Sequence, residues 1–322
     1  MLDASLPFSS GYYSATKNIG KVRNDGLELS LNTVNFQTRA FKWTTNFNIS
    51  FNKNKVLALS ENQTALLTAA QFDQNYNGQS SYIAKVGLPM GLMYGYVYEG
   101  TYKYDDFNKS GNSYSLKPGV PHYSTETNTQ PGMPKYADLN GDGVVDSNDR
   151  TIIGRGLPIH TGGFTNNFEY KGIDLSIFFQ WSYGNDVLNA NRLFFENSNK
   201  TRDLNQYASY ADRWTLENPE SNIPRATDSG SNKVFSTRII EDGSFLRLKT
   251  VSLGYTLPKQ LTKKWKIDNA RVFVAGQNLW TCTGYSGYDP EVSIREGALT
   301  PGLDFSAYPR AYSISFGINL GF

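Results

Sequence analysis

Cysteine is almost absent: Cys282 stands alone, which excludes a disulfide framework and a zinc cluster built on thiolates. Histidine is nearly as scarce. His122 and His160 are the only two, and both sit in loop-like sequence, where solvated loop histidines are expected. Charge is thin as well, with 19% Asp, Glu, Lys and Arg and a formal balance of +2. That leaves no basic stripe and no nucleic-acid footprint. No run approaches the roughly 18 apolar residues that a membrane helix requires, so helical insertion is excluded. The chain opens Met1-Leu2-Asp3-Ala4 without a basic and apolar leader, so the expectation is a cytosolic protein or one whose natural start lies upstream.

What is present is aromatic and turn-forming. Tyrosine (21), phenylalanine (19) and tryptophan (5) make up 14% of the chain beside only 39% hydrophobic residues and 29 glycines. Amphipathic rings and many turn formers, without long aliphatic runs, are an all-β profile. The mean hydropathy of −0.47 does not oppose a membrane barrel, because alternating faces average out.

The clearest strand is the last. From Ala311 to Phe322, Tyr312, Ile314, Phe316, Ile318, Leu320 and Phe322 alternate with Ser313, Ser315, Gly317, Asn319 and Gly321. Period two marks a strand. One face is greasy and the other is small, polar and uncharged, as lipid on one side and a wet lumen on the other would require. About eleven residues is also the length with which a tilted strand crosses the hydrocarbon core.

Eight further strands are predicted. Residues 1–24 read as loop. Leu27, Leu29 and Leu31, then Trp43 to Phe51, form a hairpin, and residues 54–80 are a polar connection with a short helix expected around Thr64 to Phe72. Tyr82–Leu88 and Leu92–Tyr104 form a second hairpin across Pro89-Met90-Gly91. Residues 105–160 look irregular. A third hairpin, Phe164–Tyr170 and Ile173–Tyr183, turns on Lys171-Gly172, a two-residue signal ending in glycine. Residues 184–243 lack alternation, with a helix expected near Tyr207 to Leu216. Phe245–Leu257 changes phase near Lys249-Thr250, which suggests a bulge or a strand leaving the bilayer. Pro258 to Asn269 is a basic connection, Ala270–Trp280 a mixed strand and 281–310 another loop.

If every strand reverses direction, the short turns (36–41, 89–91, 171–172, 258–269) fall at one end and the long connections (54–80, 105–160, 184–243, 281–310) at the other. A soluble sandwich has no reason to sort its loops, whereas outer-membrane barrels do. The predicted fold class is therefore all-β: an antiparallel transmembrane β-barrel. About nine strands is an odd number, while single-chain bacterial barrels close on an even one. Residues 1–322 accordingly look like the C-terminal portion of a larger barrel with long external loops.

Five segments together resemble the SusC/RagA group of TonB-dependent outer-membrane transporters. They are Asn18-Ile19-Gly20-Lys21-Val22-Arg23-Asn24-Asp25-Gly26-Leu27-Glu28; Asp138 to Gly154; Trp214-Thr215-Leu216-Glu217-Asn218-Pro219 with Pro224-Arg225; Gly243-Ser244-Phe245-Leu246-Arg247-Leu248-Lys249; and Gly276-Gln277-Asn278-Leu279 with Gly287-Tyr288-Asp289-Pro290-Glu291. The resemblance implies an outer membrane, a 22-stranded barrel with an N-terminal plug, a SusD-like surface lipoprotein as lid, and TonB-driven uptake of oligosaccharide or peptide fragments. The plug and the segment that contacts TonB would precede Met1.

One motif carries site chemistry. Residues 138–149 follow the spacing of a twelve-residue calcium loop: Asp138, Asn140, Asp142, the Val144 carbonyl, Asp146 and Asp149 offer oxygens, and Gly143 supplies the turn. Asp149 stands where glutamate is usual, as in dockerin-type loops. The spacing leaves two readings open, a calcium staple bracing an external loop and a metal-free set of Asx turns. No nucleophile or acid/base pair accompanies it, and neither Asp105-Asp106 nor Glu241-Asp242 makes one, so no enzyme is expected. Tyr285, Tyr288 and Trp214 are candidates for stacking on sugar rings. The competing function is a soluble β-rich carbohydrate-binding module with a dockerin-like calcium loop.

Overall fold

The computed structural model describes residues 2–5, 9, 11, 14–17, 20–59, 63–74, 76, 78–124, 128–198, 204–227, 234–294 and 297–322. Asn18 and Ile19 of the first motif lie outside them. Seven strands form one sheet. They are β1 (Lys21–Gln37), β2 (Phe41–Ala58), β3 (His160–Tyr170), β4 (Ile173–Tyr183), β5 (Phe245–Thr256), β6 (Asn269–Thr283) and β7 (Ser313–Gly321). Each pairs antiparallel with its neighbours in sequence, so the sheet is a simple meander.

The register carries one apolar face across all seven strands. One row runs Leu31, Phe47, Phe164, Phe179 and Leu248; another runs Trp43, Phe168, Leu175, Leu253, Val274 and Phe316. None of the described residues covers this face: Ile314, Phe316 and Ile318 are 57%, 81% and 68% exposed. Along β3 the band extends from His160 to Tyr170, which at ~3.3 Å per residue and a tilt near 40° spans roughly 25 Å, the height of a barrel's hydrocarbon belt. Aromatic pairs mark its rims. Trp43 stacks on Phe168 at the short-turn end, and Phe51, His160 and Tyr183 meet at the other. The opposite face presents Ser30, Asn48, Gln180, Thr165, Ser176 and Ser252, the polar lining expected of a lumen.

The turns match their sequence signals. Lys171 and Gly172 both take positive φ (47° and 86°), as a two-residue turn matched to strand twist demands. The phase change in β5 is a bulge: Leu248 pairs with Trp280 and Thr250 with Gln277. Loop sorting also holds within the sheet. Turns 38–40, 171–172 and 257–268 lie at one end, and connections 59–159, 184–244 and 284–312 at the other.

Several expectations are corrected. Two of the nine predicted strands, Tyr82–Leu88 and Leu92–Tyr104, lie outside the wall. Ser80–Lys85 and Leu92–Gly95 pair in a separate four-stranded sheet with Ala65–Ala69 and Thr151–Arg155. Their alternation reflects burial inside protein, since Tyr82 and Met93 are fully buried. The helix expected around Thr64 to Phe72 is the strand Ala65–Ala69, drawn extended by pairing with Ser80–Lys85. Near Tyr207 to Leu216 only a short 3₁₀ turn forms, Ala208–Asp212. Residues 1–24 are not all loop: Leu2–Ser5 pairs with Ser14–Lys17, and β1 already begins at Lys21.

The long connections are not loose. One hydrophobic core gathers Tyr82 and Met93 from the first, Leu188, Leu193, Phe235 and Ile239 from the second and Leu303 from the third. They form a packed outer layer, latched to the wall where Val56 exchanges backbone hydrogen bonds with Gly87 and Leu88.

Candidate functional site

The wall's lumen face positions the outer layer through a few charged side chains. Arg247, on β5, is buried. It donates to Asp289 at 2.5 Å, to Glu291 at 3.3 Å and to Thr281 of β6 at 3.1 Å. Arg310 joins Glu291 at 2.8 Å, and Asp289 also accepts from the backbone N–H of Glu291 and Arg310. Burial would raise the Asp289 pKa, but those backbone donors and the Arg247 guanidinium outweigh it and hold the carboxyl below its ordinary value. Nearer the short-turn end, Arg271 of β6 reaches across Gly254 to Asp174 of β4, with Nε donating at 2.9 Å. The guanidinium occupies the space a Cβ at Gly254 would fill.

A second charged knot holds the middle connection. Glu196 is buried and accepts from Arg238 at 2.7 Å, from Arg192 at 2.9 Å and from the Ser209 hydroxyl at 2.6 Å. Desolvation opposes its ionisation, but Ser209 and the two arginines prevail and keep its pKa low. Tyr285 donates to Asp304 at 2.5 Å; burial and that hydrogen bond push the phenol well up.

Beside the Glu196 knot lies a cavity of about 950 Å³, within the range of small-molecule sites. Its walls come from residues within 191–196, 205–209, 286–288 and 304–309, and include Arg192, Glu196, Gln206, Ser286 and Asp304 beside the rings of Phe195, Tyr207, Tyr288 and Tyr308. Tyr288 and Tyr308 stand 85% and 92% exposed at its mouth. Flat rings interleaved with amide, hydroxyl and charged groups suit a polar ligand held by stacking and hydrogen bonds. Of the three aromatics singled out from sequence, only Tyr288 is placed for this. Tyr285 is buried against Asp304, and Trp214 is buried under the Arg225 guanidinium, 5.4 Å from its ring, against Gly132. Sequence does not reveal that a ring is taken by a partner 19 or 82 residues away.

The calcium-type loop forms a compact turn. Val145 is fully buried and pairs with Tyr123. The Asp138 carboxylate accepts from Gly141 and Gly143, Asn140 from Asp142, Asp142 from Val144 and Asp146 from Asn148, all through backbone N–H groups. Asp149 is buried and accepts from the backbone of Leu139, Asn140 and Asp146. Burial would raise its pKa, but these three bonds hold it low. Among the described residues no three or more His, Cys, Asp or Glu side chains converge as a metal cluster. The two histidines are not solvated loop residues. His122 lies in a short strand, and His160 opens β3, where it stacks on Tyr183 and accepts from Trp181 at 3.2 Å.

No protein-family model matches the chain. Individual proteins do. The chain is 33% identical to TonB-dependent receptor P3 of Formosa agariphila over 98% of its own length and 30% of that protein's. It is 26% identical to TonB-dependent receptor SusC of Bacteroides thetaiotaomicron over 95% of its length and 27% of SusC. Among solved structures, that of the RagAB peptide transporter superposes on all of the chain and 31% of its counterpart with a TM-score of 0.77 at 24% identity. The chain thus spans just under a third of these relatives.

Proposed function

Because this chain belongs to the SusC/RagA group of TonB-dependent receptors, we propose that it builds seven strands and the packed outer layer of an outer-membrane nutrient importer. The observation that carries this reading is the uncovered apolar face of the seven-stranded meander, with every long connection at one end. A soluble carbohydrate-binding module would leave that face in water, where it would associate.

In this reading the chain is the C-terminal part of the barrel, the outer layer faces the cell exterior, and a SusD-like lipoprotein closes over it. TonB acts through parts of the receptor outside this chain. The cavity bounded by residues within 191–196, 205–209, 286–288 and 304–309 contacts an oligosaccharide or peptide fragment, and the chain's role is transport, with no catalysis. The test is uptake of labelled oligosaccharides and peptides by cells carrying the full receptor. Replacing Tyr288 and Tyr308 together by alanine is expected to weaken ligand binding roughly tenfold or more, as removing two stacking rings should. Unchanged binding would remove the cavity from the ligand path. Recovery of the receptor in the soluble fraction would remove the importer reading altogether.

We also propose that residues 138–149 accept Ca²⁺. Asp138, Asn140, Asp142, the Val144 carbonyl, Asp146 and Asp149 would supply the six or more hard oxygens that calcium takes, and the ion would brace residues 105–160. The prearranged turn supports this; apart from Asp149 Oδ1, which accepts from both Leu139 and Asn140, each side-chain oxygen bonded to backbone keeps a further lone pair. Calorimetric titration of the chelated protein is the check, and no heat at about millimolar calcium would leave the loop as a metal-free turn.

A further inference from the structure

Strands β1 and β2 are longer than the membrane requires. At 17 and 18 residues they exceed the nine to eleven that cross the hydrocarbon core, and the excess lies on the long-connection side, beyond the row Leu27–Phe51. The register fixes what this extension shows to each side. Inward, Asn54 accepts from the Met90 N–H, and Val56 is buried beneath Leu88. Outward, on the lipid side, stand Lys53 opposite Asp25 and Lys55 opposite Arg23. Arg23 and Asp25 neutralise one another at 2.7 Å, while Lys53 and Lys55 are exposed and share in no ion pair among the described residues.

We propose that Lys53 and Lys55 form a docking site for the phosphate of a membrane-lipid headgroup in the outward-facing leaflet. The height fits: two and four residues beyond Phe51 are roughly 7 and 13 Å along the strand, or about 5 and 10 Å along the membrane normal at a barrel's tilt. That brackets the outer edge of the headgroup layer, about 5–7 Å outside the core. Lysine suits the place because its stem lies along apolar surface while its ammonium reaches the interface. The girdle of Phe51, His160 and Tyr183 directly below seats the acyl chains of the same lipid. The proposal rests on the reading of this sheet as a membrane wall.

The test is native mass spectrometry of the full receptor in detergent, loaded with phosphatidylglycerol or, as a zwitterionic reference, phosphatidylcholine. K53Q/K55Q is expected to lower retained phosphatidylglycerol by roughly tenfold or more at low ionic strength and to leave phosphatidylcholine unchanged. K263Q/K264Q, which removes the same charge from the opposite rim, should retain both lipids. Circular dichroism and heat-modifiable gel mobility of each variant show that the fold survives. Equal losses in both double variants, or no loss in K53Q/K55Q, would overturn the proposal, since retention would then follow net charge or apolar contact alone. Displacement of phosphatidylglycerol by inorganic phosphate would also overturn it, because the site would then take a free anion. A receptor that fails to float with liposomes would overturn the membrane reading itself, a result distinct from any change in lipid selectivity.

Discussion

Arg247 shows what one side chain does here. It sits on the lumen face of β5, and its guanidinium is the counter-charge for Asp289, both nearly inaccessible to solvent. Removing it leaves Asp289 buried without its counter-charge, a change that typically costs about 3–5 kcal/mol. Arg247→Met is therefore expected to release residues 284–310 from the wall, seen as faster amide exchange and new proteolytic cuts confined to that connection. The same knot is acid-sensitive. The folded pKa of Asp289 lies below its ordinary 3.8, so its contribution is complete above that value and is lost as pH falls through the folded pKa. Glu196 and Asp149 shift in the same direction. Exchange rates in connections 105–160, 184–244 and 284–312 should accordingly rise together below about pH 4, while those of the wall stay slow.

At the level of elements, the two faces of a strand and the two-residue turn are the testable units. Ile177 lies on the apolar face of β4, midway along the band, and Ser176 beside it faces the lumen. Arginine at a mid-bilayer lipid-facing position costs about 2–4 kcal/mol. Ile177→Arg should reduce folded barrel by that measure in urea titrations in lipid, and Ser176→Arg should be tolerated. Equal effects would mean that the sheet does not face hydrocarbon. In the β3–β4 turn, Gly172 has φ 86° and its missing Cβ would lie 2.8 Å from the Thr256 carbonyl. Gly172→Val is expected to lose roughly 1–3 kcal/mol, read as a lower heat-modification temperature. Lys171→Asn, which relieves a positive φ, should raise it.

For the whole molecule, the decisive feature is that the sheet is open. β1 and β7 are its edges, and in hydrocarbon each unsatisfied backbone group costs several kcal/mol. Residues 1–322 expressed alone are therefore expected to give no closed, monomeric pore. A monodisperse conducting species in planar bilayers would contradict this. The chain spans just under a third of its relatives, and in the proposed reading the strands that pair with β1 and β7 come from the rest of the receptor.

The all-β class, the Lys171-Gly172 turn, the bulge at Lys249 and the sorting of loops were legible in the sequence, because each rests on a local period or a required backbone angle. Alternation by itself could not tell a strand facing lipid from one buried in protein. Tyr82–Leu88 alternates as the wall strands do, yet its partners come from residues 65–69 and 92–95. The candidate site was less legible still. The cavity needs residues about a hundred positions apart, and Trp214 and Tyr285 are withdrawn from it by partners that no spacing announces. Local backbone preference and face-by-face polarity determined the wall. Only tertiary packing, which joins three long connections through Met93, Phe235 and Leu303, decided where the wall ends and where a ligand finds room.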